Sequence, residues 1–322
     1  MGVDDQRLLA LLAAAPMPLS QLARALAVPP GQLAGRLQAL VQAGVALQQQ
    51  GDCWQLRQPP DLHQRDRIEQ LLAPATLPLL GGLEVLWEVD STNSELLRRP
   101  LPQAGVSVLL AERQTAGRGR RGRHWVSPLA QHVYLSLACR FQGGIAAMAG
   151  LSLAVGVLVA EALRDHGLTG VGLKWPNDLL LGGRKLGGIL LESRGSAQDP
   201  ALAVIGIGLN VHNAAAAAGA IDQPWTSIEQ HRPGLAQRDG VVAAVLNGLL
   251  PGLVAFEREG LAPFLTRYAA LDVLAGQPVW IHKDGQRQPA TALGLAADGG
   301  LRVLDQHGQR CLHAGDVSVR KQ

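Results

Sequence analysis

The sequence predicts an α+β protein in three parts: a small helical head, a body of strands with a few long helices, and a small β-rich tail. Three observations predict it. Short amphipathic helical patterns fill positions 5–45; strand-like apolar segments cluster between 80 and 271 with long helical patterns only near 145–166, 238–259 and 261–270; and after 272 strands alternate with glycine turns. The chain has 322 residues, 47% hydrophobic and 17% charged, enough for about two domains of ~150 residues with a sizeable core. A formal net charge of +3 gives no more than a weak preference for anions.

In the head (1–60), apolar residues at helical spacing over 5–15 precede "MPLSQLARAL", where Ser20 is positioned to cap a second helix. "VPPGQLAGRLQALVQAGV" then gives a turn, a third helix and a stop at Gly44, although two prolines and the glycines at 31 and 35 weaken that helix. "VALQQQ" and "CWQLRQ" flank Gly51-Asp52, a hairpin signal. Three short helices and a hairpin in this order predict a winged helix-turn-helix. A proline-punctuated polar stretch places a linker at 61–78. In the body (79–271), "LEVLWEVD", "VSVLLAER", "VYLSLACR", "GVGLKW", "LLLGG", "LGGILLES" and "LAVIGIGLNV" read as strands. In the tail (272–322), "PVWIHKD", "QPATALGLA", "LRVLDQ" and "RCLHAGDVSVR" read as a small all-β barrel.

Three cysteines, Cys53, Cys139 and Cys311, are far apart and form no C-x-x-C pair, which excludes a disulfide framework and a zinc ribbon. No H-E-x-x-H or similar spacing points to a built-in transition-metal site. "LLALLAAAP" at 8–16 is preceded by Asp4 and Asp5, the wrong charge for a signal peptide, and the apolar run 145–160 falls short of the ~20 residues of a membrane span. The expected location is the cytoplasm, with no membrane partner.

"GRGRRGRHW" (117–125) matches G-x-G-x-x-G, yet fails as a dinucleotide fingerprint. No helix opens within it, and no acidic residue follows at about 20 positions. It fails as a P-loop because Arg123-His124 follows Gly122. A nucleic-acid contact, a solvated loop and a mobile flap over a polyanion remain; the last combines backbone N–H groups exposed by glycine with bidentate arginines. "DSTNSELL" (90–97) ends a strand and opens a helix, with Thr92 and Glu95 at capping-box spacing. A cap leaves unexplained three adjacent hydrogen-bonding side chains, Ser91, Thr92 and Asn93, which suit a small polar ligand. In "LKWPNDLLLGGRKLGGILLE" (173–192), Lys174 and Lys185 stand among apolar residues, where an ammonium is costly unless an anion meets it. "IGIGLNVH" ends an apolar strand on Asn210.

Taken in order, "STN", "GRGRRGR", "KWPND", "RKLGGILLE" and "GIGLNV", closed by "GDVSVR" at 315–320, resemble the biotin protein ligases of the type that also represses a biotin operon. The resemblance spans nearly the whole chain. It implies a class II synthetase-like central sheet, an SH3-like tail, and an enzyme that makes biotinyl-5′-AMP from biotin and MgATP. The biotinyl group then passes to a lysine of the biotin carboxyl carrier protein of acetyl-CoA carboxylase. Carried over by motif, Ser91, Thr92, Asn93 and Gln114, with Gly117, Arg118, Gly119 and Arg120, would enclose biotin, and Lys185 would meet its carboxylate. Lys174, Asn177, Asp178 and Arg118, Arg120 and Arg121 would face the phosphates, with Mg²⁺ held through ATP and by Asp178. Asn210 and Trp225 would hold adenine, and Lys185 and Arg118 would be catalytic. A homodimer formed by sheet extension is also implied.

Operator DNA is the weaker part of the resemblance. The candidate recognition helix offers Gln32 and Arg36 and little else, and residues 1–60 hold four arginines against three aspartates. Two other readings stay open: a DNA-binding regulator whose body only senses a ligand, and a lipoate-type ligase.

Overall fold

The computed structural model describes residues 5–57, 59–213, 221, 223–283, 286–314 and 318–321. The head consists of α1 (Asp5–Ala14), α2 (Leu19–Leu26) and α3 (Pro30–Gln42) with a three-stranded sheet. That sheet comprises β1 (Met17–Pro18), β2 (Leu47–Gln50) and β3 (Cys53–Leu56), in order β1-β3-β2. Gly51 at φ +61° makes the two-residue turn that pairs Gln50 with Cys53. Two local expectations fail. Pro18, not Ser20, occupies the N-cap of α2, with no side-chain cap, and the prolines that weaken a helix interior here start α3, with Pro30 in its first turn. Leu8, Leu12, Leu22, Leu33, Leu37 and Trp54 form the head's core, which also takes in Leu129 and Ala130 from the body. Asp5 pairs with Arg36 and accepts from Trp87 Nε1 at 2.9 Å, a second tie to the body.

A short helix, α4 (Arg65–Gln70), follows in the connecting segment. The body sheet has seven strands: β4 (Leu80–Val89), β5 (Val106–Gln114), β6 (Val133–Phe141), β7 (Gly172–Lys174), β8 (Asp178–Leu181), β9 (Arg184–Arg194) and β10 (Ala201–Leu209). Their order is β4-β5-β6-β10-β9-β8-β7, parallel between β4 and β5 and antiparallel elsewhere, a mixed sheet. The body's longer helices are α5 (Thr92–Arg98), α6 (Leu151–Asp165), α7 (Arg238–Glu259) and α8 (Ala262–Ala269), with a further short turn of α-helix at Ile228–His231. α6 is largely apolar because most of it is buried, only Arg164 and Asp165 in its last turn being exposed, and α7 approaches it closely at Gly252, where a Cβ would lie 2.3 Å from Leu158 Cδ2. By length and composition α7 could cross a membrane, but its apolar residues, such as Val242, Leu246 and Leu250, are buried in the main core.

Between head and body, a buried polar knot fixes the connecting segment. Arg238, at the start of α7, donates to Glu112 on β5 (2.6 Å), to His132 O (2.9 Å) and to Asp61 O, while its backbone N–H donates to Asp61 Oδ2. His63 N donates to Glu112 (2.6 Å), and its ring sits 2.8 Å from Asp239. Burial, then the charge of Arg238, drives the His132 pKa down to about 3, so this ring is neutral. It meets Trp225 edge-on at 6.1 Å.

The tail strands β11 (Pro278–Lys283), β12 (Gln286–Leu295), β13 (Leu301–Asp305), β14 (Gly308–Leu312) and β15 (Ser318–Lys321) form one sheet in order β14-β13-β12-β11-β15. The barrel expected from the sequence is not closed: among the described residues the outer strands β14 and β15 do not pair. Closure is not needed to hide its apolar face, because Val279, Ile281, Ala292, Leu301 and Val303 join the core of the body.

Candidate functional site

β10 owes its shape to glycine at alternate positions. Gly206 and Gly208 point to one face of the sheet, and neither has room for a side chain: a Cβ would lie 2.4 Å from Asn93 Oδ1 and 2.5 Å from the Trp125 indole, respectively. They floor a cavity of about 340 Å³ walled by β5, β6, β9, the start of α5 and the loop 118–126.

One end is a neutral hydrogen-bonding cluster. Thr92 donates from both N (2.9 Å) and Oγ1 (3.1 Å) to Gln114 Oε1, and Gln114 Nε2 donates to Ser127 Oγ (3.0 Å). Ser136 Oγ lies 2.7 Å from Thr92 Oγ1 and 2.6 Å from Asn93 Oδ1. The Asn93 amide donates to Leu190 O and to Glu192 Oε2 (2.9 Å). These contacts explain why the expected capping box is absent. Ser91 is the N-cap without a side-chain bond, Thr92 turns into the cavity, and Glu95 is taken by Arg98 and Arg99.

The other end is cationic. Lys185 on β9, 8% exposed, holds its ammonium 2.7 Å from Asp178 and 5.5 Å from the centre of the Trp125 ring. Arg120 donates to Asn177 Oδ1 (3.2 Å) and Ala314 O (2.6 Å), both neutral acceptors. Burial, with Arg121 beside it and Asp178 working the other way, pushes its pKa below the usual guanidinium value. A half-buried cation on neutral partners gains from an incoming anion. Arg118 instead pairs with Glu192 at 2.6 Å.

The glycine–arginine loop folds back on itself. Gly119 N donates to Arg123 O (2.7 Å) and Trp125 N to Gly117 O (2.8 Å), with Arg121 and Gly122 at positive φ at the tip. Gly117 allows this close approach, since a Cβ there would meet Trp125 O at 2.5 Å.

Of the residues singled out in the sequence, Ser91, Thr92, Asn93, Gln114, Arg118, Gly119, Arg120, Asn177, Lys185, Asn210 and Trp225 all line this one cavity. Gly117 stands behind its wall against Gln114 and Ser127, and Asp178 reaches it through Lys185. Lys174 at the end of β7 and Arg121 at the loop tip do not line it, and Gln32 and Arg36 are in the head. Asn210 is turned to protein, its amide donating to Lys185 O and Thr226 O. Sequence reasoning missed Trp125, Ser136, Glu192 and the two floor glycines. The alternation in "IGIG" was the one signal available for the floor.

Comparison with known proteins identifies the family. Residues 87–210 match the model of the biotin/lipoate A/B protein ligase family. The bifunctional ligase/repressor BirA of Escherichia coli (strain K12) is 39% identical over 74% of each chain. That of Salmonella typhimurium (strain LT2) is 37% identical over 84% of this chain and 82% of its own. A solved structure of the biotin protein ligase of Aquifex aeolicus, in complex with biotin and ATP, superposes with a TM-score of 0.65 at 27% identity, covering 75% of this chain and 99% of its own. At such identity over such a length, the chain is a member of the biotin protein ligase family.

Proposed function

We infer that the chain activates biotin with ATP, forming biotinyl-5′-AMP and pyrophosphate, and transfers the biotinyl group to a lysine of a biotin carboxyl carrier protein. The observation that carries this reading is the polarity of the cavity: a neutral cluster at one end and Lys185 with Arg120 at the other. Thr92, Asn93, Gln114 and Ser136 match an uncharged polar head such as the ureido ring, while Lys185 and Arg120 meet a carboxylate and phosphates. When the carboxylate attacks the α-phosphorus, two anions approach, and fixed cations in a partly dry site stabilise the charge that develops. The loop 117–125 shields the mixed anhydride from water until the carrier lysine arrives. Asp178, 2.7 Å from the Lys185 ammonium, is the carboxylate that would hold a Mg²⁺ ion brought with the ATP phosphates, and the ion would offset their charge. Asn210 and Trp225 are assigned to the adenine, and the cytoplasm to the enzyme.

The same reading divides the chain into head (1–60), linker (61–78), ligase body (79–271) and an SH3-like tail (272–322), with a homodimer formed through an open edge of the body sheet. Incubation with biotin, MgATP and a carrier domain is expected to release pyrophosphate and label the carrier. Calorimetry is expected to show biotin binding in preference to lipoate. An intact fold that labels nothing, or that binds lipoate instead, overturns the assignment.

A second reading concerns the head, whose three helices and hairpin match a winged helix-turn-helix and whose relatives are described as repressors. α3 is the helix that would enter the major groove, and Gln32 on it is exposed. Arg36 is occupied by Asp5, so DNA contact there requires breaking an internal ion pair. Salt-dependent, sequence-selective binding of operator DNA, strengthened by biotin and ATP, is the expected result if this reading holds.

A further inference from the structure

Spacing along the chain gave no transition-metal site, but the fold assembles a candidate in the tail. One ligand atom from each of Asp298, Cys311 and His313 lies within 4.8 Å of the others. Cys311 on β14 and His313, just past the end of that strand, reach the same side, since both lie against Gly300. Asp298 comes from the turn between β12 and β13, which is closed by Ala296 N to Gly300 O (2.8 Å) and Gly299 N to Ala296 O (3.0 Å). Its Oδ1 accepts from Gly300 N at 2.9 Å, leaving Oδ2 facing His313 Nε2 at 4.0 Å.

The space between the three donors exists because residue 300 is glycine. A Cβ at that position would lie 2.3 Å from Cys311 Sγ, 3.2 Å from Asp298 Oδ1 and 3.3 Å from His313 Cε1. Donors around a four-coordinate zinc are roughly 3.3–3.8 Å apart, given metal–ligand bonds of about 2.0–2.3 Å. Exposed side chains reach that from 4.8 Å by small rotations, and their exposure gives an ion a path in.

We propose that Asp298, Cys311 and His313 bind one zinc-class divalent cation, with a fourth position left to water. Sulfur and imidazole donors select zinc-like metals over Mg²⁺ or Ca²⁺, and one thiolate plus one carboxylate balance the charge of a divalent ion. Binding releases the Cys311 thiol proton to solvent. The cation would clip together the two tail segments that reach the body, Gly299, bonded by Trp175 Nε1 at 3.1 Å, and Ala314, bonded by Arg120.

The test uses the tag-free full chain, stripped with chelator and free of biotin and ATP, titrated with Co²⁺ and then Zn²⁺. One Co²⁺ per chain is expected, with a thiolate-to-cobalt charge-transfer band that Zn²⁺ bleaches. Cys311→Ser is expected to remove the band, His313→Ala to weaken binding about tenfold or more, and Cys53→Ser to change neither. Absence of the band in the wild-type protein, or its survival in Cys311→Ser, overturns the proposal. Biotinylation does not enter the measurement, so this result and that of the ligase assay stand apart.

Discussion

Gly208→Ala places one methyl group under the Trp125 ring. The new Cβ would lie 2.5 Å from indole Cε2 and Cζ2, where carbon atoms prefer about 3.5–4.0 Å, so the ring or the strand has to give by roughly 1 Å. β10 cannot give readily, because it is hydrogen-bonded on both sides, to β6 and β9. The ring moves instead, and with it the loop, since Trp125 N is bonded to Gly117 O and the ring lies against the Lys185 ammonium. Overpacking inside a closed core costs about 1–3 kcal/mol. Here the half-buried ring can retreat, so the expected stability loss is at most about 1 kcal/mol, a fall in Tm of roughly 2–4 °C. A displacement of ~1 Å in the site, by contrast, costs on the order of 100-fold in rate. Biotin-dependent ATP–pyrophosphate exchange should therefore lose roughly 10- to 100-fold in kcat/KM while thermal unfolding barely changes. Gly31→Ala, on α3 with nothing within 4 Å of its Cβ, is the control and should leave exchange intact. Exchange within about twofold of wild type in Gly208→Ala would refute the placement of the reacting groups over this floor.

Other expectations follow from the same geometry. Lys185→Met removes the buried ammonium and strands Asp178; adenylate formation should fall about 100-fold or more, and adding Asp178→Asn should restore melting temperature but not activity. Arg238→Met leaves Glu112 buried without its charged partner and should cost about 3–5 kcal/mol in denaturant unfolding, with part recovered by Glu112→Gln; a loss near zero would show that the knot does not hold the junction. His132 titrates near 6.5 when unfolded and about 3 when folded, so the unfolded chain binds the extra proton between those values and stability falls as pH drops. From pH 7 to pH 5 this one group should remove about 2 kcal/mol, and His132→Gln should flatten that slope.

Local pattern made the strands, the long helices and most of the cavity residues legible. Apolar strands ending in polar residues carry their meaning in a short window, as at Thr92 and Asn210, and Lys185 stands out as a lysine among apolar residues, whereas Asn177 reads as an ordinary turn residue until the family resemblance singles it out. What the sequence left out depends on register and on distant partners. Thr92 and Glu95 have capping-box spacing, but Gln114, 22 positions on, takes the threonine. Trp125 reads as the end of a charged loop until it is set against Gly208. Glu112, His63 and Arg238 are unremarkable apart and form one buried cluster together, and Asp298 meets Cys311 and His313 only because β13 pairs with β14. Whether the tail closes into a barrel depends on which strands meet at its edges, which alternation does not encode.

The seam between head and body also bears on how such chains can be cut and joined. Asp5 accepts from Trp87, Leu129 and Ala130 complete the head's core, and Asp61 and His63 sit in the knot around Arg238. Removing the head is therefore not the deletion of a bead from a string. It would bare an indole and a leucine and leave a ligase with a sticky scar. A stand-alone ligase made from this chain would need polar replacements at Trp87 and Leu129, and a head transplanted from a relative would have to bring its own counterpart of Asp5.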